Sequence, residues 1–136
     1  MGIKKFKILE HKADLKIRAF GKTKEGLFEN AMLGMFGGAR YESEGGEIKR
    51  EIKISSLDLP SLLVDFLSEV LYLSEINREV YRNIQFKKIT EKNIEGILFG
   101  KKLKRIGVVI KGVTYHDLDI NQKKDKTWQA TVLLDI

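Results

Sequence analysis

The stretch from Asp58 to Asn77, DLPSLLVDFLSEVLYLSEIN, constrains the fold more than any other part of this 136-residue chain. On a helix of about 3.6 residues per turn, Leu59, Leu62, Leu63, Phe66, Leu67, Val70 and Leu73 fall on one broad face, and Val64 and Leu71 widen it. A helix apolar over so much of its circumference has to be covered by other elements. Asp58 is placed to cap its N-terminus, and Pro60, the single proline, stands in the first turn, where a missing N–H costs nothing. Burying the main face contributes on the order of 10 to 20 kcal/mol of gross transfer free energy, an upper bound because unfolded chains are already partly compact. The strip left polar holds Ser61, Asp65, Ser68, Glu69 and Tyr72, with carboxylates one turn apart at Asp65 and Glu69.

Around this helix the chain reads mostly as alternating strands. Ile3 to Leu9 sets Phe6 and Ile8 against Lys5 and Lys7, and Leu15 to Phe20 alternates Leu15, Ile17 and Ala19 with Lys16 and Arg18. The tetrapeptide HKAD, His11 to Asp14, joins the two. Thr23 then caps a helix whose apolar residues, from Leu27 to Phe36, recur at helical spacing until Gly37 and Gly38. GARYESEGG reads as a surface turn, and alternation resumes from Glu47 to Ile54 with Ile48, Ile52 and Ile54 inward. Asn83 to Ile89 and Ile94 to Phe99 form a hairpin about a TEKN turn. The basic run KKLKR, Lys101 to Arg105, reads as a loop or edge, and Gly107 to Ile110 as strand or buried coil. Val113 to Ile120 and Trp128 to Asp135 make a last pair across NQKKDK. About six or seven strands and two main helices joined by hairpins predict an α+β fold, one domain over residues 1–136, with an antiparallel sheet packed against the helices.

Composition narrows the chemistry. With no cysteine and two histidines, disulfides and thiolate zinc sites are excluded, and any metal must be held mainly by oxygen. No apolar run approaches the 18 or so residues that cross a bilayer, and the N-terminus lacks a signal-peptide core, so a soluble cytoplasmic protein with no membrane partner is expected. A net charge of +6 attracts RNA or an acidic protein, but spread over KKFK, KKLKR and QKKDK it predicts a diffuse field rather than a groove, and the few aromatic residues do not interleave with those runs. Phosphate-binding glycine loops, nucleophile elbows and HExxH are missing from the sequence.

Carboxylates remain. Asp135 and the main-chain carboxylate of Ile136 lie one residue apart, and Asp14, between the first two strands, supplies a third if those strands carry it to the same sheet edge. Such ligands suit calcium or magnesium better than zinc. From spacing alone the plainer account is that Asp14 serves a turn and Asp135 ends a strand. Asp65 and Glu69 at i, i+4 form either a solvated stripe or a polar site, and Tyr115 and His116, beside Lys111 and Thr114, either pair with neighbouring strands or do acid and base work.

HKAD followed by a strand and G-x-T, then LLVDFLSEVLYL, IKGVTYHDLDI and a C-terminal VLLDI resemble, in that order, the archease family of accessory proteins for the RtcB-type tRNA-splicing RNA ligase. Lys12 stands where the family commonly has threonine, and Gly112 where it commonly has alanine. The resemblance implies a protein with no reaction of its own that promotes guanylylation of the ligase, permits multiple turnover and broadens its nucleotide use, meeting tRNA only through the ligase. It also implies a divalent-ion site, most readily for calcium, at Asp14, Asp135 and Ile136, with Glu69 and Lys111 as secondary candidates for contact with ligase or nucleotide. Two other classes compete: a basic RNA-binding or chaperone-like module in tRNA processing, which predicts salt-dependent RNA affinity without the ligase, and a metal-dependent hydrolase using Asp14, Asp65 and Asp135, which predicts turnover by the isolated protein.

Overall fold

A computed structural model of the protein describes residues 4–11 and 14–136. Ile3, where the sequence pattern starts the first strand, and Lys12 and Ala13 of the tetrapeptide lie outside them. The elements run β1 (Phe6–His11), β2 (Asp14–Gly21), α1 (Lys24–Gly38), β3 (Tyr41–Ser55), α2 (Leu59–Asn77), β4 (Glu79–Ile89), β5 (Asn93–Ile106), β6 (Gly112–Gln122) and β7 (Trp128–Asp135). The α+β class holds, but the strands divide into two antiparallel sheets, a four-stranded one ordered β1-β2-β7-β6 and a three-stranded one ordered β3-β5-β4. Each helix touches both sheets.

The helices begin where the sequence says. Asp58 accepts from the Ser61 N–H at 2.8 Å and Thr23 from the Gly26 N–H at 3.0 Å, each satisfying an otherwise orphaned donor. Leu62, Leu63, Val64, Phe66, Leu67, Val70 and Leu71 of α2 are buried, and Phe66 meets Phe28 of α1 with ring centroids 5.6 Å apart. Gly21 lets α1 start hard against β2, because a Cβ there would run into the backbone of Gly26 and Leu27.

Three segments depart from the sequence reading. GARYESEGG is not a free turn: from Tyr41 onward it belongs to β3, whose register with β5 breaks between Glu44 and Ile48, with Gly45 at φ +88°. KKLKR is neither loop nor edge, since β5 is the central strand of its sheet and Lys102 stands opposite Glu44 of β3 and Glu79 of β4. The pairing strands come from distant parts of the chain, which no local pattern reveals, and among the described residues the run's one ion pair is Arg105 with Glu42, at 3.9 Å. Val113 to Ile120 is not regular either: β6 slips against β7 between Thr114 and Asp119, and Asp117 adopts the left-handed region at φ +57°. Gly107 to Ile110, read as strand or buried coil, is coil of which only Ile110 is buried, with Gly107 and Val109 exposed. The Gly107 and Val108 N–H groups donate to Arg40 and Ala39 carbonyls, and Ile110 is fully buried.

A polar cluster joins β3 to β4, with Glu79 and Tyr81 buried and Arg50 exposed at its outer side. Arg50 donates two hydrogen bonds to Glu79, at 2.8 and 2.7 Å, and the Tyr81 hydroxyl donates to the same carboxylate at 2.8 Å. The Arg50 hydrogen bond holds the Glu79 carboxyl below its ordinary value, while burial first and then Glu79 push the Tyr81 phenol up.

Candidate metal centre

β2 and β7 are antiparallel over their full length, in a register that pairs Asp14 with Asp135 and, seven residues along, Gly21 with Trp128. Residues directly opposite share a sheet face with Cβ atoms about 4.5–5.5 Å apart. The alternation of β2 puts Leu15, Ile17 and Ala19 in the core, so Asp14, Lys16, Arg18 and Phe20 take the outer face with their partners Asp135, Leu133, Thr131 and Gln129. Two aspartates thus face one another at the end of a ladder. Like charges so placed are destabilising unless a cation lies between them.

The third strand of the site is β6. Gly112 pairs with Asp135 on the flank away from Asp14, and the Lys111 N–H donates to the Asp135 carbonyl at 2.7 Å, extending the ladder by one bond and bringing Lys111 to the site. A Cβ at Gly112 would meet nothing within 4 Å, so this flank is open. Ile136 is half-buried and packs on the core, which anchors the chain one residue past Asp135. On the outer face Lys16, two residues from Asp14, lies 3.3 Å from Asp117 in the β6 bulge, and Arg18 donates to Thr131 at 3.1 Å. The donor set at the edge is therefore two opposed carboxylates with the main chain of Ile136 beside them, oxygen ligands that fit a hard divalent ion.

The other sequence candidates divide. Glu69 lies half-buried on α2, away from the β2–β7 ladder in the chain's order of elements. Asp65 is held elsewhere: Ser56 donates to it at 2.5 Å and the Tyr115 hydroxyl at 3.4 Å. Among the described residues no three His, Cys, Asp or Glu side chains converge as a metal group, so Asp65 does not complete a trio with Asp14 and Asp135. Loss of water around the hydroxyl and then the Asp65 charge raise the Tyr115 phenol, which moves it away from base chemistry at neutral pH. His116 is exposed on the bulge, 3.6 Å from Asp117. The sequence reading missed the bulge and the open flank at Gly112; the only local signal was a glycine beside a lysine where a strand begins.

The archease protein family model matches residues 6–136. The chain belongs to the archease family. It is 41% identical over 142 residues to an archease of Methanosarcina barkeri, covering 98% of this chain and 97% of that one, and 33% identical over 136 residues to an archease of Pyrococcus furiosus, covering 93% and 95%. The solution structure of protein 1598 from Methanobacterium thermoautotrophicum superposes with a TM-score of 0.72 at 29% identity, over 98% of this chain and 100% of that one. A crystal structure from Thermotoga maritima, named an archease and possible chaperone, shares the fold at a TM-score of 0.67 and 18% identity, over 100% and 99%. Among the described residues of this archease, no helix is long and apolar enough to cross a membrane.

Proposed function

We propose that this chain is a cytoplasmic accessory protein of an RtcB-type RNA ligase, carrying a divalent ion, most readily calcium, on Asp14, Asp135 and the main-chain carboxylate of Ile136. The observation that carries the reading is the register of β2 on β7, which opposes two aspartates at a sheet edge. Opposed like charges are a cost that a bound cation turns into affinity. When bound, the ion adds a concentrated positive charge that neutralises phosphate oxygens and orients them. The chain's own residues hold the carboxylates in place: the Lys111 N–H fixes the Asp135 backbone and Ile136 anchors the strand end. In this reading Lys111, whose backbone is tied to that of Asp135, contacts nucleotide or ligase, and the protein performs no reaction of its own and meets tRNA through the ligase. It promotes guanylylation and repeated turnover of the ligase and broadens its nucleotide use.

The test is ligase turnover with and without this protein at limiting ligase. Native protein is expected to convert a single turnover into many, and Asp14→Ala to lose that effect while keeping its fold. Equal stimulation by native protein and Asp14→Ala removes the site from the mechanism. No stimulation by native protein removes the function.

A further inference from the structure

The opposite end of the β2–β7 ladder gathers what the sequence scatters. There Phe20 and Trp128, with Lys4, Gly21, Lys22 and Thr127, line a cavity of about 270 Å³. Phe20 is on the outer face and is absent from the core, whereas Trp128, opposite Gly21, is half-buried and packs against the core from the inner face while also lining the cavity at the ladder's end. Around them the approach to β1, the end of β2 and the β6–β7 turn meet. The Phe20 N–H donates to the Lys5 carbonyl at 2.9 Å, and the Lys123 ammonium lies 5.7 Å from the centre of the Phe20 ring. Lys4, Lys5, Lys22, Lys123, Lys124 and Lys126 are all exposed, against Glu25 and Asp125 in the same segments. Asp125 is turned inward to its own loop by hydrogen bonds from Thr127.

We propose that this end binds a single-stranded nucleic acid, with one base in the cavity stacked against Phe20 and bordered by Trp128, and the neighbouring phosphates on the lysines. The lysines supply the polyanion term, which is independent of sequence. The cavity sits just under the range of about 300–1,000 Å³ for drug-sized ligands and suits one planar ring, and aromatic side chains stack on every base without preference. An acidic peptide would use the lysines but leave the aromatic cavity idle, and a duplex keeps its bases out of reach. The site lies about 23 Å from the aspartates along the strands, so one protein can hold a strand and an ion at the same time. The inference goes beyond the ligase reading and does not depend on it.

Trp128 is the only tryptophan and lines the cavity, so its fluorescence reports on binding there. Titration with a 12-nucleotide single-stranded RNA, with no ligase present, is expected to quench it saturably. Phe20→Ala should weaken binding about 5- to 150-fold with an unchanged melting temperature. Lys22→Gln with Lys123→Gln should flatten the log affinity against log salt slope by about 0.7 for each lysine lost, whereas Lys87→Gln with Lys104→Gln, on the three-stranded sheet, should leave it unaltered. Absence of quenching, equal quenching by duplex RNA or polyglutamate, or equal loss in the two lysine pairs overturns the proposal. Because the ligase is absent, failure here is distinguishable from failure of ligase stimulation.

Discussion

The two ends of the β2–β7 ladder are built from the same pair of strands and carry opposite chemistry. At one end Asp14 opposes Asp135; at the other Gly21 opposes Trp128, beside Phe20 and a ring of lysines. Between them Lys16 and Arg18 occupy the outer face and are engaged with Asp117 and Thr131. Both ends sit on a rigid, fully paired ladder whose inner face is core, so either can change its charge without disturbing what folds the protein. The strands serve as a ruler that keeps an anionic and a cationic site apart, where neither neutralises the other at a screening length of about 8 Å.

That separation can be broken one end at a time. Asp14→Ala should produce the largest change: calcium affinity by calorimetry should fall more than about 10-fold, since even the outer partners of metal ligands are worth about 10- to 100-fold. RNA quenching of Trp128 should be untouched. A substitution far from both ends sharpens the contrast. Glu79→Gln removes the charge that Arg50 and Tyr81 engage and should lower stability in denaturant melting, with calcium and RNA affinities both unchanged. The same carboxylate sets an acid limit. Its value is lowered in the folded protein, chiefly by the Arg50 hydrogen bond, so its contribution is present above the ordinary glutamate value of about 4.3 and is lost as pH falls through the lower folded one. Native stability should fall on acidification through that window, and Glu79→Gln should flatten the fall.

A smaller effect has a diagnostic sign. In calcium-free buffer Asp135→Asn relieves the opposition to Asp14 and should leave the melting free energy unchanged or raise it by about 0.2–1 kcal/mol, while calcium no longer stabilises the protein. An aspartate retained for structure would instead lower it. The smallest stability change is expected from residues appended after Ile136. They convert its carboxylate to an amide while the inward alternation of Ala130, Val132 and Leu134 is unaltered. Calcium affinity should drop with metal-free melting the same, and an unchanged affinity would strike the terminal carboxylate from the site.

Local pattern was enough for α2 and both helix caps, because a 3.6-residue period and a capping side chain lie within one short window. It was enough for β7, whose alternation marks the same bounds as the structure. It failed at KKLKR, which is central in its sheet because β3 and β4 pair on either side of it, and at the β6 bulge, where β7 sets the register. The candidate site divides in the same way. Mainly oxygen ligation followed from a chain with no cysteine and two histidines, and Asp14, Asp135 and Ile136 were nameable as residues. That Asp14 stands opposite Asp135, that Lys111 closes the ladder beside them, and that Asp65 is bound to Ser56 and Tyr115 instead were decided by strand pairing. The lysines at the far end show this most plainly: +6 spread along a sequence is a diffuse charge, and only the meeting of the β1 approach, the β2 end and the β6–β7 turn makes part of it a surface. Sequence determines what each segment is by contacts a few residues apart, whereas which charges become neighbours is fixed by pairings dozens of residues apart, and only the folded chain contains those.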